Sequence, residues 1–258
     1  MEIHEILESV KANKISVNDA KKLLSLYSIE EIEGIAKIDI NRRKRKGIPE
    51  VVLAETKKLE ETKKIIKVTL KKTNSIIVSR IKKNDYPKII VFAKKLKMKI
   101  KTGKNSSSLL LFNKPIKFHG GKVGIITAGT SDIGVAEESR LMCEAMNCKC
   151  VINYDVGIAG IQRIFPVLKE MIKEDVDCII VVAGMEGALA TLVSSMTDIP
   201  IIGIPTSVGY GYGQKGIAAL ASMLQSCSLG LSVVNIDNGI AAGGIAANIA
   251  NRAIRKNN

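Results

Sequence analysis

Five short stretches of the chain carry residues that could hold an anionic ligand, and some of them could move a proton. The first follows the apolar, β-prone run from Val123 to Thr127. There Ala128, Gly129, Thr130, Ser131 and Asp132 are small or hydroxylated and lead into a helical pattern. A strand, a small-residue turn and a helix start aim free backbone N–H groups and the helix dipole at one spot, which suits a phosphate. Asp132 also reads as the cap of that helix. The second stretch offers Asp155, Val156, Gly157, Gly160, Gln162 and Arg163; the third is AGMEG, with Gly184, Met185 and Glu186. The fourth, PTSVGYGYGQKG, supplies Pro205, Ser207, Gly209 and Tyr210, and the fifth, NIDNG, supplies Asn235, Asp237 and Asn238. One arginine among hydroxyls and small turns fits a phosphate. Asp132, Glu186 and Asp237 could serve as bases or metal ligands. Each has a plain reading too: Glu186 favours a helix dipole, and Asp237–Asn238–Gly239 makes a turn.

Such turns act together only if a scaffold brings them to one edge. From Lys122 onward the runs VGIIT, CVINYD, CIIVVAG, IPIIGIP and LSVVNID alternate with helical patterns at about 135–146, 160–173, 187–196, 213–226 and 241–254. Apolar runs joined by helices predict a parallel sheet covered on both faces. The expected fold is α/β, a flavodoxin-like five-stranded sheet in the order 2-1-3-4-5. No G-x-G-x-x-G follows the first strand, which argues against a dinucleotide-type sheet. In an open α/β sheet the ligand sits at the carboxyl ends of the strands, where these five turns lie.

The first 118 residues read differently. They carry 29 Lys and Arg against 13 Asp and Glu, whereas 119–258 carry 10 against 12, so the whole net charge of +14 sits in the first part. Apolar spacing predicts helices over 2–12 and from Ser16 onward, with Ser16 as N-cap. Short strands follow at 36–40 and after Pro49. A charged helix spans 56–70, a strand 75–80, a helix 87–96, and strands 97–102 and 108–112. This is a smaller basic α/β domain, with 113–121 as linker and the boundary at 118/119. Its lysines spread over many faces, aromatics are only 3%, and no recognition motif appears, so nucleic acid is not expected as a partner.

No apolar run is long enough to span a bilayer comfortably, and the acidic, amphipathic start MEIHEILESVKANK is not a signal peptide. A cytoplasmic protein is expected. The five cysteines fit that compartment. Cys143, Cys148 and Cys150 have no fourth ligand nearby and read as core thiols rather than a metal site. Cys227 closes the helix before the fifth strand, at the opposite sheet end from the five turns. It is either packing, or it reaches a pocket across a subunit interface or on a helix end that bends back.

The stretches GKVGIITAGTSD, DVGIAGIQR, AGMEGALA, PIIGIPTSVGYGYG and SCSLGLSVVNIDNG resemble the larB-type pyridinium-3,5-biscarboxylic acid mononucleotide synthases. That family is related to the phosphoribosylaminoimidazole carboxylases (mutases) of purine synthesis. The resemblance is strong over 119–254 and weaker over SVNDAKKLL and DINRRKRKGIPEVVLAE. It implies addition of CO2, as co-substrate, to the pyridinium ring of nicotinic acid adenine dinucleotide, and hydrolysis of the phosphoanhydride to release AMP, with Mg2+ assisting the hydrolysis. It also implies Cys227 as nucleophile, Glu186 as proton acceptor or metal ligand, and the turn residues with Arg163 as nucleotide holders. Arg42 and Arg45 would reach the substrate from the basic domain. Related carboxylases are octamers, and the small-residue helix IAAGGIAANIA suits close packing on a neighbouring subunit, so a homo-oligomer is expected. Two positions depart from the family pattern: Gln162 stands where a histidine is usual, and Asp39-Ile40-Asn41-Arg42 replaces Asp-His-His-Arg. An aminoimidazole ribonucleotide mutase and a nucleotide-binding regulator are the rival readings.

Overall fold

The computed structural model describes residues 3–24, 30–32, 36–38, 42–118 and 121–257. Asp39, Ile40, Asn41 and His119 lie outside the described residues. The chain opens on two amphipathic helices, α1 (Ile3–Lys11) and α2 (Val17–Leu24). Ser16 caps the second as expected: its hydroxyl accepts the Asp19 N–H at 3.1 Å and donates to the Asp19 carboxylate at 2.7 Å. Strands β1 (Glu30–Ile32) and β2 (Ala36–Ile38) pair antiparallel.

The basic run that follows is a short helix, α3 (Arg42–Lys46). Lysine and arginine are good helix formers, and Gly47, at φ +73°, ends it in the left-handed conformation that glycine adopts without strain. Beyond it come β3 (Glu50–Leu53), α4 (Leu59–Lys72), β4 (Ser75–Ser79), α5 (Tyr86–Lys95), β5 (Lys99–Thr102) and β6 (Leu109–Phe112). These strands form a four-stranded sheet in the order β3-β4-β6-β5, parallel between β3 and β4 and antiparallel on both sides of β6. Ile66, Ile76, Val78, Leu109 and Leu111 fill its core without measurable exposure.

The second sheet is built from β7 (Lys122–Thr127), β8 (Lys149–Asn153), β9 (Cys178–Ala183), β10 (Ile201–Pro205) and β11 (Leu231–Val233). All four pairings are parallel and the order is β11-β10-β9-β7-β8. Counted from β7 this is the 2-1-3-4-5 order of a flavodoxin-like sheet. Helices α6 (Ile133–Ala145) and α10 (Gly239–Asn257) cover one face; α7 (Ile164–Lys173), α8 (Ala188–Ser194) and α9 (Ile217–Leu224) supply the core of the other.

The small residues of α10 are used within the chain, which corrects their expected role at a neighbouring subunit. Ala242, Ala246, Ala247 and Ala250 are fully buried. A Cβ on Gly239 would sit 2.5 Å from the Val135 carbonyl, and one on Gly243 would sit 2.6 Å from that of Ser139. The glycines therefore let α10 lie directly against α6.

Helix α6 also carries the first sheet on its outer side. Arg140 donates to the Thr102 carbonyl at 2.8 Å, Lys101 pairs with Glu144 at 2.7 Å, and Arg43 bridges Ser75 and the Ala145 carbonyl. Ile77, Leu110 and Phe112 of the first sheet share one core with Leu141 and Met142. Among the described residues no helix is long and apolar enough to cross a membrane.

Candidate active site

Parallel strands end together, so the turns after β7, β8, β9, β10 and β11 share the carboxyl edge of the second sheet. After β7 the chain makes one tight turn at Thr130–Asp132 before α6 begins. Thr130 and Ser131 are exposed, whereas Asp132 is buried. The Asp132 carboxylate does not cap α6. It accepts the Gly129 N–H at 2.9 Å and the Thr206 hydroxyl at 2.7 Å, linking the first turn to the fourth. Burial pushes its pKa up, against these hydrogen bonds, and the nearby Asp237 charge adds to the rise.

Four of the five turns hold a non-glycine residue in the left-handed region: Asp155 at φ 60°, Met185 at φ 54° and Asp237 at φ 54°, each just past a strand end, and Lys215 at φ 63°, further along the fourth turn. Aspartate tolerates this conformation, whereas methionine has no local hydrogen bond to compensate. Strain of this kind persists where the surrounding structure fixes it. Here the Met185 N–H donates to the Val208 carbonyl at 2.8 Å, and the Asp237 N–H to that of Pro205 at 2.9 Å. The Asp237 carboxylate in turn accepts the Ser207 N–H at 2.8 Å. Gly184 is required by contact: a Cβ there would lie 2.3 Å from the Val208 carbonyl.

The second turn presents the arginine. Arg163 pairs with Asp155 at 3.1 Å and reaches the Gly157 carbonyl at 3.3 Å, with both charged side chains about half exposed. An exposed pair of this sort is weak and can be exchanged for a phosphate. Val156 is buried beneath it, and Gly160 takes a non-helical conformation that turns the chain toward Arg163. Glu186 is exposed at the third turn with no hydrogen-bond partner among the described residues. Asn235 and Asn238 spend their side-chain oxygens on the backbone N–H groups of Ile236 and Ala241, so both shape the fifth turn. Met185, Val208, Tyr210 and Tyr212 leave an exposed apolar rim around Gly209.

Two groups of expected residues fall elsewhere. Arg42 lines a cavity between the two sheets beside Asn238 and pairs with Glu50 at 3.9 Å. That cavity takes in none of Gly129, Asp155 or Glu186. Arg45 shares the same short helix. Cys227 lies in the turn between α9 and β11, at the amino edge of the sheet, and its thiol is exposed. Its neighbours are fixed: Thr191 donates to Ser226 at 3.0 Å, and the Ser194 and Ser228 hydroxyls lie 2.8 Å apart. The other thiols are packing. Burial pushes Cys148 and Cys178 up to about 12, and Cys143 is raised by its contact with Cys150 and by burial.

Thr206 and Glu137 were not visible as functional positions in the sequence. Thr206 follows Pro205 at the end of β10 and is fully buried, and only its partner 74 positions earlier gives it meaning. Glu137 lies on the sheet-facing side of α6, where Arg140 binds both its oxygens at 2.8 Å and Tyr154 and the Lys104 N–H add two more bonds. Among the described residues no group of three or more His, Cys, Asp and Glu side chains is placed to hold a metal ion. The described residues alone therefore form no magnesium cage. Magnesium is often held by phosphate oxygens with one or two carboxylates, and Glu186 is an exposed carboxylate at this edge with no hydrogen-bond partner among the described residues.

A parallel five-stranded sheet with small, strained turns and one exposed arginine at its carboxyl edge defines a flavodoxin-like fold with a candidate anion site there. The chain belongs to the AIR carboxylase family, whose model matches residues 122–257, and it is LarB-type, because the LarB/PurE-like N-terminal domain matches residues 29–102. It is 48% identical over 254 residues to an uncharacterized protein of Methanocaldococcus jannaschii, covering 96% of both chains. It is 29% identical over 132 residues to a probable N5-carboxyaminoimidazole ribonucleotide mutase of Methanothermobacter thermautotrophicus, covering 50% of this chain and 37% of that one. A similar match, 29% over 133 residues, links it to the N5-carboxyaminoimidazole ribonucleotide mutase of Thermotoga maritima, covering 50% of this chain and 74% of that one. Its activity is of the carboxylase or mutase type.

Proposed function

We propose that this protein carboxylates the pyridinium ring of nicotinic acid adenine dinucleotide with CO2 and hydrolyses its phosphoanhydride, giving pyridinium-3,5-biscarboxylic acid mononucleotide and AMP. The observation that carries this reading is Cys227: an exposed thiol on a turn fixed on both sides by serine hydroxyls, in a chain with a LarB/PurE-like first domain. A pyridinium ring is electrophilic and does not attack CO2. Addition of the Cys227 thiolate to the ring carbon para to nitrogen makes an enamine whose β-carbon is nucleophilic. That carbon bonds to CO2 and then loses its proton, and departure of the thiolate restores the aromatic ring. Glu186, free and exposed, is the acceptor for that proton. Thr130, Ser131 and Arg163 hold phosphate oxygens at the carboxyl edge.

Cys227 and Glu186 lie at opposite edges of one sheet, so one chain cannot bring both to one ring. The site therefore takes Cys227 from a second copy of the chain in a homo-oligomer. The exposed apolar side chains Ile217 and Leu224 on α9, and Leu229 beside Cys227, supply the surface for that contact.

The test is mass spectrometry of products after incubation with nicotinic acid adenine dinucleotide, bicarbonate and Mg2+. A dicarboxylated mononucleotide and AMP from the wild type, and neither from Cys227→Ala, is the expected result. Unchanged substrate in both samples overturns the assignment. The mutase reading is favoured by the two 29% identical relatives. It predicts turnover of carboxyaminoimidazole ribonucleotide that survives Cys227→Ala, although Gln162 cannot shuttle a proton as histidine does.

A further inference from the structure

We propose that the cleft beside the carboxyl end of α6 is a second binding site, for a compact organic anion smaller than a nucleotide. It encloses about 330 Å³ between α3, the first sheet and the linker segment that holds Lys114 and Lys117. That volume lies at the small end of the range for small-molecule sites. The cleft includes none of the strand-end turn residues, nor Arg42, Arg45 or Cys227. It does not depend on the reaction proposed above.

Arg43 is the feature that asks for a ligand. A guanidinium carries five N–H donors. Among the described residues Arg43 spends them on two neutral acceptors, the Ser75 hydroxyl at 2.8 Å and the Ala145 carbonyl at 3.2 Å, and it meets no carboxylate. Burial pushes its pKa down, as expected of a cation drawn out of water without a counter-charge. The carboxyl end of α6 offers it the equivalent of about half a negative charge. That accounts for the bond to Ala145 and leaves the remaining donors facing the cleft.

Two more cations share the space. Lys114 and Lys117 line the cleft and are exposed, and among the described residues neither has a hydrogen-bond or ion-pair partner. No lining residue is acidic. Lysines alone would be an ordinary solvated surface, but here they flank a half-buried guanidinium and an apolar floor of Leu110 and Phe112. Asn74 and Asn147 add amide donors. A matching ligand has an oxyanion head for the arginine fork and the ammonium groups, and a small apolar body to cover Phe112. A phosphate monoester on a single ring fits, because it carries close to two negative charges at neutral pH.

Calorimetric titration of the full chain with phenyl phosphate, inorganic phosphate and benzyl alcohol tests this, because the second probe lacks the ring and the third lacks the charge. Phenyl phosphate is expected to bind about ten-fold or more tighter than either. Arg43→Lys keeps the charge but removes the fork, and should weaken that binding about ten-fold. The double variant Lys114→Ala, Lys117→Ala should weaken it by a similar factor, and Arg163→Ala should leave it unchanged. Both lysines are exposed, so the double variant carries the test if Arg43→Lys does not fold. The proposal is overturned if phenyl phosphate does not bind below about 1 mM, or if inorganic phosphate or benzyl alcohol binds as tightly. It is also overturned if the Arg43 and lysine variants bind like the wild type. Weakening by Arg163→Ala alone would place the anion at the strand-end turns instead.

Discussion

The hydroxyl of Thr206 donates to Oδ1 of Asp132 across 2.7 Å, joining residues 74 positions apart at the carboxyl edge of the second sheet. Both side chains are buried, so this bond ties the first turn to the fourth away from water. Burial raises the Asp132 pKa above its ordinary 3.8, so the folded state binds that proton more tightly than the unfolded chain does. The contribution to stability is complete below about 3.8 and is lost as pH rises through the folded value. Urea melts of wild type and Asp132→Asn across this window should show the wild type losing stability, relative to the variant, as pH rises. A pH-independent difference would sink this account.

Glu137 behaves in the opposite sense. Burial works against its charge, but hydrogen bonds from Arg140, Tyr154 and the Lys104 N–H outweigh it and hold the carboxyl below its ordinary range. Its contribution is present above about 4.5 and fades as pH falls through the lowered folded value. Arg140→Ala leaves Glu137 buried without its cation and should cost about 3–5 kcal/mol, read by guanidinium unfolding at neutral pH. A loss below about 1 kcal/mol would show that the pair is effectively solvated.

Met185 stands at φ 54° with its side chain exposed. Met185→Gly relieves that conformation and should raise stability by about 0.5–1 kcal/mol, while loosening the third turn and lowering kcat. Thermal melts and steady-state rates on one preparation separate the two effects. A loss of stability would mean that the methionine packs more than its exposure suggests.

Cys227 is exposed, whereas Cys143, Cys148 and Cys178 are buried and raised in pKa. Ellman's reagent should therefore modify Cys227 fastest in the native chain and all five thiols in denaturant. Peptide mapping of the fast-reacting thiol checks its identity. If the homo-oligomer seats Cys227 at a bound substrate, substrate should slow that modification.

The strands and turns of the second sheet were readable because their signals are local. An apolar run, a cluster of small residues and a helical period each occupy fewer than about a dozen neighbouring positions. The alternation implies a parallel sheet, and the missing G-x-G-x-x-G after the first strand favours the order 2-1-3-4-5 over a dinucleotide-type sheet. The basic run 42–46 was harder: its charge pointed to ligand holding, whereas its helix propensity and the closing Gly47 decided its structure. Helix α10 shows another limit, because a small-residue pattern records close packing without naming the partner, and the partner is α6. Glu138 could not be recognised at all, since Ser79 and Ser108 lie 59 and 30 residues away.

The acidic side of α6 has a consequence for how such a chain can be divided or inherited. Glu137, Glu138 and Glu144 find partners in Lys104, Ser79, Ser108 and Lys101, all on the first sheet or its loops. Cutting the chain between the sheets would leave Glu138 without its hydroxyl partners and Glu137 and Glu144 with Arg140 as their shared cation, next to newly bared apolar surface. The second half is thus not a module that happens to carry a leader. Grafting the first half onto a shorter relative would require the facing surface of α6 to travel with it.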